Sequence, residues 1–227
     1  MRIGGLVKNT ALDFPGILGA VVFTQGCNFT CPYCHNPHLV RFFGLPVSET
    51  EVMEFLRKRR GLLDGLVISG GEPTLQPDLA EFCKKTRGLG YLVKVDTNGS
   101  RPEVIADLIE RGLINYVALD LKTDPRAYPA ELSPTGLGDA IIDTVNILKR
   151  SSVAHEFRVT AAAPFINPAS MEALARAAAG EAPLYIQKYR PDNILSPDYM
   201  SAYEQPSPSD LESLREIASP YLPCLIR

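Results

Sequence analysis

The amino-acid sequence predicts an α/β fold of six strand–helix units with mostly parallel strands. Three observations predict it. Short, β-branched apolar runs recur along the chain; stretches with helical periodicity separate them; and the alternation persists almost from end to end, as in βαβ units. A chain of 227 residues has ample length for one buried core, so residues 1–227 are expected to form a single domain. Six such units suit an open sheet or a partial barrel, whereas eight would close a full barrel.

The elements follow in order. Leu18–Gln25 is apolar and β-branched, a buried strand. Ser48 caps the next helix with Glu51 as its capping-box partner, and Val52, Phe55 and Leu56 form its apolar stripe. Leu66–Ser69 is a strand that runs into Gly70-Gly71, and a helix begins near Asp78. Tyr91–Val95 is a strand ending in Asp96-Thr97-Asn98-Gly99. Pro102 suits a first helical position, with Ile105, Leu108 and Ile109 facing the core. Tyr116–Leu121 is the fourth strand, and Ile141, Val145 and Leu148 mark the fourth helix. Phe157–Ala163 is the fifth strand; Pro168 then starts an alanine-rich helix with Met171, Leu174 and Ala178 on one side. Leu184–Gln187 is the sixth strand, a helix runs from about Pro208 to Ala218, and the tail Tyr221–Ile226 reads as a last strand. Two long breaks, 123–136 and 191–207, are rich in proline and polar residues, and loops this long are often functional.

The formal net charge of −3 and the 45% hydrophobic content suit a globular chain with no nucleic-acid steering. The apolar runs are too short to span a bilayer, and no presequence is visible, so the expected location is the cytoplasm. The basic run Arg57-Lys58-Arg59-Arg60 falls near a helix end, where cations complement the dipole.

Chemistry concentrates in one loop. Cys27, Cys31 and Cys34 lie within Gly26-Cys27-Asn28-Phe29-Thr30-Cys31-Pro32-Tyr33-Cys34-His35-Asn36. Soft thiolates select zinc, copper(I) or iron–sulfur clusters. A closed zinc site needs four ligands, and only His35 or His38 could complete one here, so spacing alone leaves iron–sulfur and zinc both open. A three-cysteine cubane would leave one iron able to bind an outside molecule, unlike the four-cysteine clusters of electron carriers. Cys83 and Cys224 read as small buried hydrophobes.

Three further unusual sequences end strands. Gly70-Gly71-Glu72-Pro73 follows the second strand, Asp96-Thr97-Asn98-Gly99 the third, and Asp120-Leu121-Lys122 ends the fourth. In parallel α/β folds, active sites form at the strands' C-terminal ends. The cysteine loop and these three segments are therefore expected to converge. Adjacent glycines let a ligand approach the backbone; carbonyls there and Glu72 offer acceptors for an ammonium group. Asp96, Asp120 and Lys122 could hold an amino-acid carboxylate directly or through a cation. Taken singly, Gly-Gly and Asp-Thr-Asn-Gly are equally readable as plain turns.

Cys-x-x-x-Cys-x-aromatic-Cys, with Tyr33 as the aromatic, resembles the signature of radical S-adenosylmethionine (SAM) enzymes, and Gly70-Gly71-Glu72-Pro73 resembles their motif for the SAM amino group. The resemblance implies a partial (β/α)6 radical SAM barrel, with a 4Fe–4S cluster held by Cys27, Cys31 and Cys34 and chelated by SAM. Asp13-Phe14-Pro15-Gly16, Tyr33-Cys34-His35-Asn36 and Leu119-Asp120-Leu121-Lys122 are similar to the glycyl-radical-enzyme activating enzymes. That narrower resemblance places Asp96, Thr97, Asp120, Lys122 and Arg158 by the SAM carboxylate, some through a monovalent cation. It sets Tyr33 and His35 along the adenine. Ile3–Lys8, Lys94–Gly99 and Gln187–Pro191 are most similar to the longer form of anaerobic ribonucleoside-triphosphate reductase activating proteins. The implied function is SAM-dependent installation of a glycyl radical on a partner enzyme, with a low-potential electron donor such as flavodoxin or ferredoxin. The alternatives are an activase of another glycyl radical enzyme, a radical SAM enzyme acting on a small molecule, and a non-enzymatic iron–sulfur or zinc protein. Only 35 residues separate Cys34 from Gly70, without a cysteine among them, so a ferredoxin-like insert carrying extra clusters is not expected there.

Overall fold

The computed structural model describes residues 1–40, 46–133 and 137–227. The end of the expected 123–136 loop lies outside the described residues. The chain divides into two compact units, one of residues 1–28, 38–97 and 103–117, the other of residues 29–37, 98–102 and 118–227.

In the first unit, β1 (Ile3–Thr10) pairs antiparallel with β2 (Gly19–Thr24), which pairs in parallel with β3 (Gly65–Gly70), itself parallel to β4 (Leu92–Thr97). The helices of this unit are α1 (Pro37–Val40), α2 (Glu49–Lys58), α3 (Leu79–Gly88) and α4 (Pro102–Glu110), with the first residues of α1 and α4 assigned to the other unit. Ser48 caps α2 by accepting from the Glu51 N–H, as the sequence predicts. Residues Val21, Val67 and Lys94 lie across from one another in register. Phe14 closes over Val21 and Val67, joined by Ile17, Phe23, Leu92 and Tyr116, so the Asp13–Gly16 turn is anchored by its aromatic ring.

β5 (Tyr116–Asp120) passes from the first unit into the second, where its successor Leu121 donates its N–H to the Arg158 carbonyl at 2.8 Å. The second unit then contains α5 (Gly138–Arg150), β6 (Ala154–Ala161), α6 (Pro168–Ala178), β7 (Leu184–Lys188), α7 (Pro197–Met200), α8 (Pro208–Ala218) and β8 (Cys224–Ile226). β6, β7 and β8 are consecutive parallel neighbours. Capping boxes start α6 (Asn167 with Ser170) and α8 (Ser207 with Asp210), each with a proline in the first turn.

The six expected strand–helix units are all present, and the fold class is α/β with mostly parallel strands. Two differences stand out. The sequence pattern does not read β1 as a strand because it is an edge: Gly4 and Gly5 interrupt it, its register shifts twice, and most of its side chains are not buried. β6 begins three residues before Phe157, in Ala154-His155-Glu156, whose polar content reads as loop.

Tyr91 is 2% exposed and donates its hydroxyl to the Leu56 carbonyl of α2 at 2.7 Å. Tyr91→Phe removes that donor from a buried acceptor and is expected to cost about 1 kcal/mol. The check is a lower urea midpoint with an unchanged denaturant slope.

Candidate active site

β2 and β3 end side by side. Gly70 has φ +114°, and a Cβ on Gly71 would overlap the carbonyl oxygen of Gly26. Only glycine tolerates that approach. The contact is closed by two hydrogen bonds: the Gly71 N–H donates to Thr24 O at 2.9 Å and the Glu72 N–H to Gly26 O at 2.8 Å. The turn after β3 is thereby locked onto the residue that launches the cysteine loop. Pro73 begins a short 3-10 turn behind it.

Glu72 is fully buried. Its Oε1 accepts from the Thr74 N–H at 3.0 Å, the Thr74 hydroxyl at 2.6 Å and the Thr97 hydroxyl at 2.8 Å. The Glu72 carboxyl thus ties the end of β3 to the end of β4, with its burial offset by these hydrogen bonds. Asp96, next to Thr97, is 8% exposed, and Lys94 Nζ stands 3.0 Å from its Oδ1. Lys94 is itself 1% exposed. It donates to the Asp13 carbonyl and lies 5.7 Å from the Tyr116 ring centroid. So Gly70, Gly71, Glu72, Asp96 and Thr97 are gathered in the first unit, and the structure adds Lys94 and Thr74.

The second unit gathers the other predicted residues. Asp120 is clamped on both oxygens: Arg158 Nε lies 2.7 Å from Oδ1 and Lys122 Nζ 3.3 Å from Oδ2. Burial alone would raise the Asp120 pKa, but the two cations more than offset it and bring it down to about 2. Burial would lower the Lys122 pKa, and Asp120 and Cys31 instead hold it above the ordinary lysine value. Cys31 is buried, and desolvation pushes its thiol up to about 11 although Lys122 pulls it down. Tyr33 is 3% exposed, packs on Phe165 with centroids 5.6 Å apart, and keeps a buried hydroxyl without a hydrogen-bond partner among the described residues. His35, by contrast, is exposed.

Both long loops brace the cysteine segment. The Thr30 N–H donates to Leu132 O at 3.0 Å and its hydroxyl to Glu131 O at 3.1 Å; the Leu195 and Ser196 N–H groups donate to Cys34 O at 3.0 Å and Pro32 O at 2.9 Å. Tyr128 accepts from the Lys122 N–H at 3.0 Å and packs on Phe29. Sequence reading missed these bracing groups, because backbone donors in loops carry no residue-type signal. Lys94 did carry one: a charged residue inside a strand read as buried, two positions before Asp96 and so on its face.

All five cysteines are free thiols, and among the described residues no three His, Cys, Asp or Glu side chains form a ready-made metal-binding group. The donor set of the loop nonetheless fits an iron–sulfur cluster in kind: three thiols, one loop, soft-metal preference. Lys94 Nζ lies 3.0 Å from Asp96 Oδ1, a buried oxygen that makes no hydrogen bond among the described residues, and Asp120 is ion-paired with Arg158 and Lys122, so a monovalent cation at either acid would meet a positive charge already in place.

Residues 21–182 match the family model of the radical SAM superfamily. The chain belongs to that superfamily and is an enzyme of it, with a 4Fe–4S cluster and SAM as cofactors. Along almost its whole length it is similar to a protein of Methanocaldococcus jannaschii named as a putative glycyl-radical enzyme activating enzyme, at 33% identity over 97% of this chain and 92% of that one. It is also 35% identical to the pyruvate formate-lyase-activating enzyme of Clostridium pasteurianum, over 43% of each chain. The structure of Streptococcus suis SuiB bound to S-adenosylmethionine superposes with a TM-score of 0.66 at 17% identity, covering 91% of this chain and 49% of that one. That likeness shows the shared fold, and this chain spans about half of SuiB.

Two outcomes are expected. Gly71→Ala should be destabilised by about 2 kcal/mol or more, because the added methyl meets backbone and has no room to relax; thermal melting checks it. Asp120 ionises near 3.8 when unfolded and near 2 when folded. Its depressed folded value means the stabilisation is complete above about pH 3.8 and is lost as pH falls towards about 2. Asp120→Asn should therefore cost about 2 kcal/mol at neutral pH, with the gap to the parent closing through that acidic window in denaturation curves.

Proposed function

We propose that this chain is an activating enzyme that installs a glycyl radical on a partner enzyme. The observation that carries the reading is similarity to a named activating enzyme across 97% of the chain, together with the strand-end motifs of a radical SAM site. Anaerobic ribonucleoside-triphosphate reductase is the partner favoured by the segments Ile3–Lys8, Lys94–Gly99 and Gln187–Pro191. The partial match to pyruvate formate-lyase-activating enzyme supports the second reading, an activase of a different glycyl radical enzyme.

In this proposal Cys27, Cys31 and Cys34 hold the cluster. A cluster held by these cysteines would supply one electron for cleavage of bound SAM to methionine and a 5′-deoxyadenosyl radical, the chemistry needed to remove a hydrogen atom from a glycine of the partner. The chain's residues bind, orient and exclude water. Lys122 and Arg158 present two cations for the SAM carboxylate, with Asp120 fixing their spacing. The backbone at Gly70 and Gly71 receives the amino group; Glu72 and Pro73 shape that turn, and Thr97 and Asp96 complete it. Tyr33 and His35 flank the adenine. The two compact units act as one domain, a reading supported by the five passages of the chain between them. A low-potential flavodoxin or ferredoxin delivers the electron. Among the described residues, no helix is long and apolar enough to cross a membrane.

The test is anaerobic incubation of reconstituted protein with SAM, a reductant and candidate glycyl radical enzymes, read by electron paramagnetic resonance. A glycyl signal on the ribonucleotide reductase alone supports the first reading; a signal on another enzyme alone supports the second. Cys31→Ala should abolish 5′-deoxyadenosine formation, and persistent turnover would sink the cluster assignment.

A further inference from the structure

We infer that the Lys94 ammonium takes the place of a bound monovalent cation at Asp96, so that this chain compensates its β4 carboxylate with a charge of its own. Lys94 Nζ stands 3.0 Å from Asp96 Oδ1. The two residues are two apart on one strand and share a face. Lys94 is no surface lysine that has swung inward. It is 1% exposed, donates to the Asp13 carbonyl and faces the Tyr116 ring. An ammonium buried that deeply needs a compensating anion, and Asp96 supplies one. A carboxylate oxygen already within reach of a fixed ammonium is a poor site for a second cation, since the two positive charges repel at short range in a medium of low dielectric. Lys94 is thus a positioning residue: it orients Asp96 and, through Asp13, pins the Asp13–Gly16 turn against β4. The inference rests on Asp96 belonging to the cofactor site, and not on which protein receives the radical.

The experiment uses the full chain with its cluster reconstituted and SAM bound, and reads melting rather than radical transfer, so it is independent of which partner is activated. Melting temperatures are compared in potassium, sodium and N-methylglucamine chloride at constant ionic strength. The wild type should melt at the same temperature in all three. Lys94→Met should melt lower and recover several degrees, on the order of the effect of a weakly bound ligand, in potassium or sodium only. Lys94→Arg should keep the wild-type indifference. A folded Lys94→Met that ignores the cation overturns the inference. So does saturable potassium stabilisation of the wild type that Asp96→Asn removes. Should Lys94→Met not fold, a thallium(I) titration of the wild type followed by thallium NMR decides. Absence of a saturable site supports the inference, and a site lost in Asp96→Asn refutes it.

Discussion

The turn after β3 lies so close to Gly26 that no side chain fits between them, and the first unit's site depends on that contact. Gly71 carries no Cβ because the Gly26 carbonyl occupies its space. The two hydrogen bonds from Gly71 and Glu72 then fix the exit of β2 at the point where the cysteine loop starts. Glu72 can reach inward to Thr97 only because that turn is tight. One steric requirement therefore fixes the start of the cysteine loop, the Gly70-Gly71 turn and the end of β4 against one another.

Charge is organised on the same principle of local compensation. Buried carboxylates are costly unless they are paired or well hydrogen-bonded. Here Glu72 accepts from hydroxyls and an N–H, Asp96 is ion-paired with Lys94, and Asp120 is ion-paired with Arg158 and Lys122. Three solutions for three acids explain why their sequence contexts differ. The threonines near Glu72 are neutral donors, whereas Lys94 and Lys122 each lie two residues from their aspartate on the chain.

Much of this was legible in the sequence, and the reasons are physical. Buried parallel strands announce themselves as β-branched apolar runs, so all six units emerged. Gly70-Gly71 advertised a close approach, and Asp120-Leu121-Lys122 advertised an alternating charged pair. β1 was illegible because an edge strand with glycines and solvent-facing side chains has no periodic signal. The inward turn of Glu72 was also illegible. Sequence marks Glu72 as an acceptor but cannot say whether the donors are Thr74 and Thr97 or a ligand. Lys94 was present inside a strand read as buried, yet its meaning required the register that places it opposite Val67.

The bracing of the cysteine segment links chemistry to the long loops. Thr30 is tied to Glu131 and Leu132, while Pro32 and Cys34 receive N–H donors from Ser196 and Leu195. Such bracing limits the conformations open to Cys31 and Cys34, since each fixed backbone residue gives up entropy that a free loop would keep. The backbone that ties down the cysteine segment belongs to the two long loops read from the sequence, 123–136 and 191–207. A displacement of residues 131–132 or 195–196 would pull directly on Thr30, Pro32 or Cys34 through those hydrogen bonds. The two loops thus share an internal duty: they clasp the cysteine loop from two places in sequence.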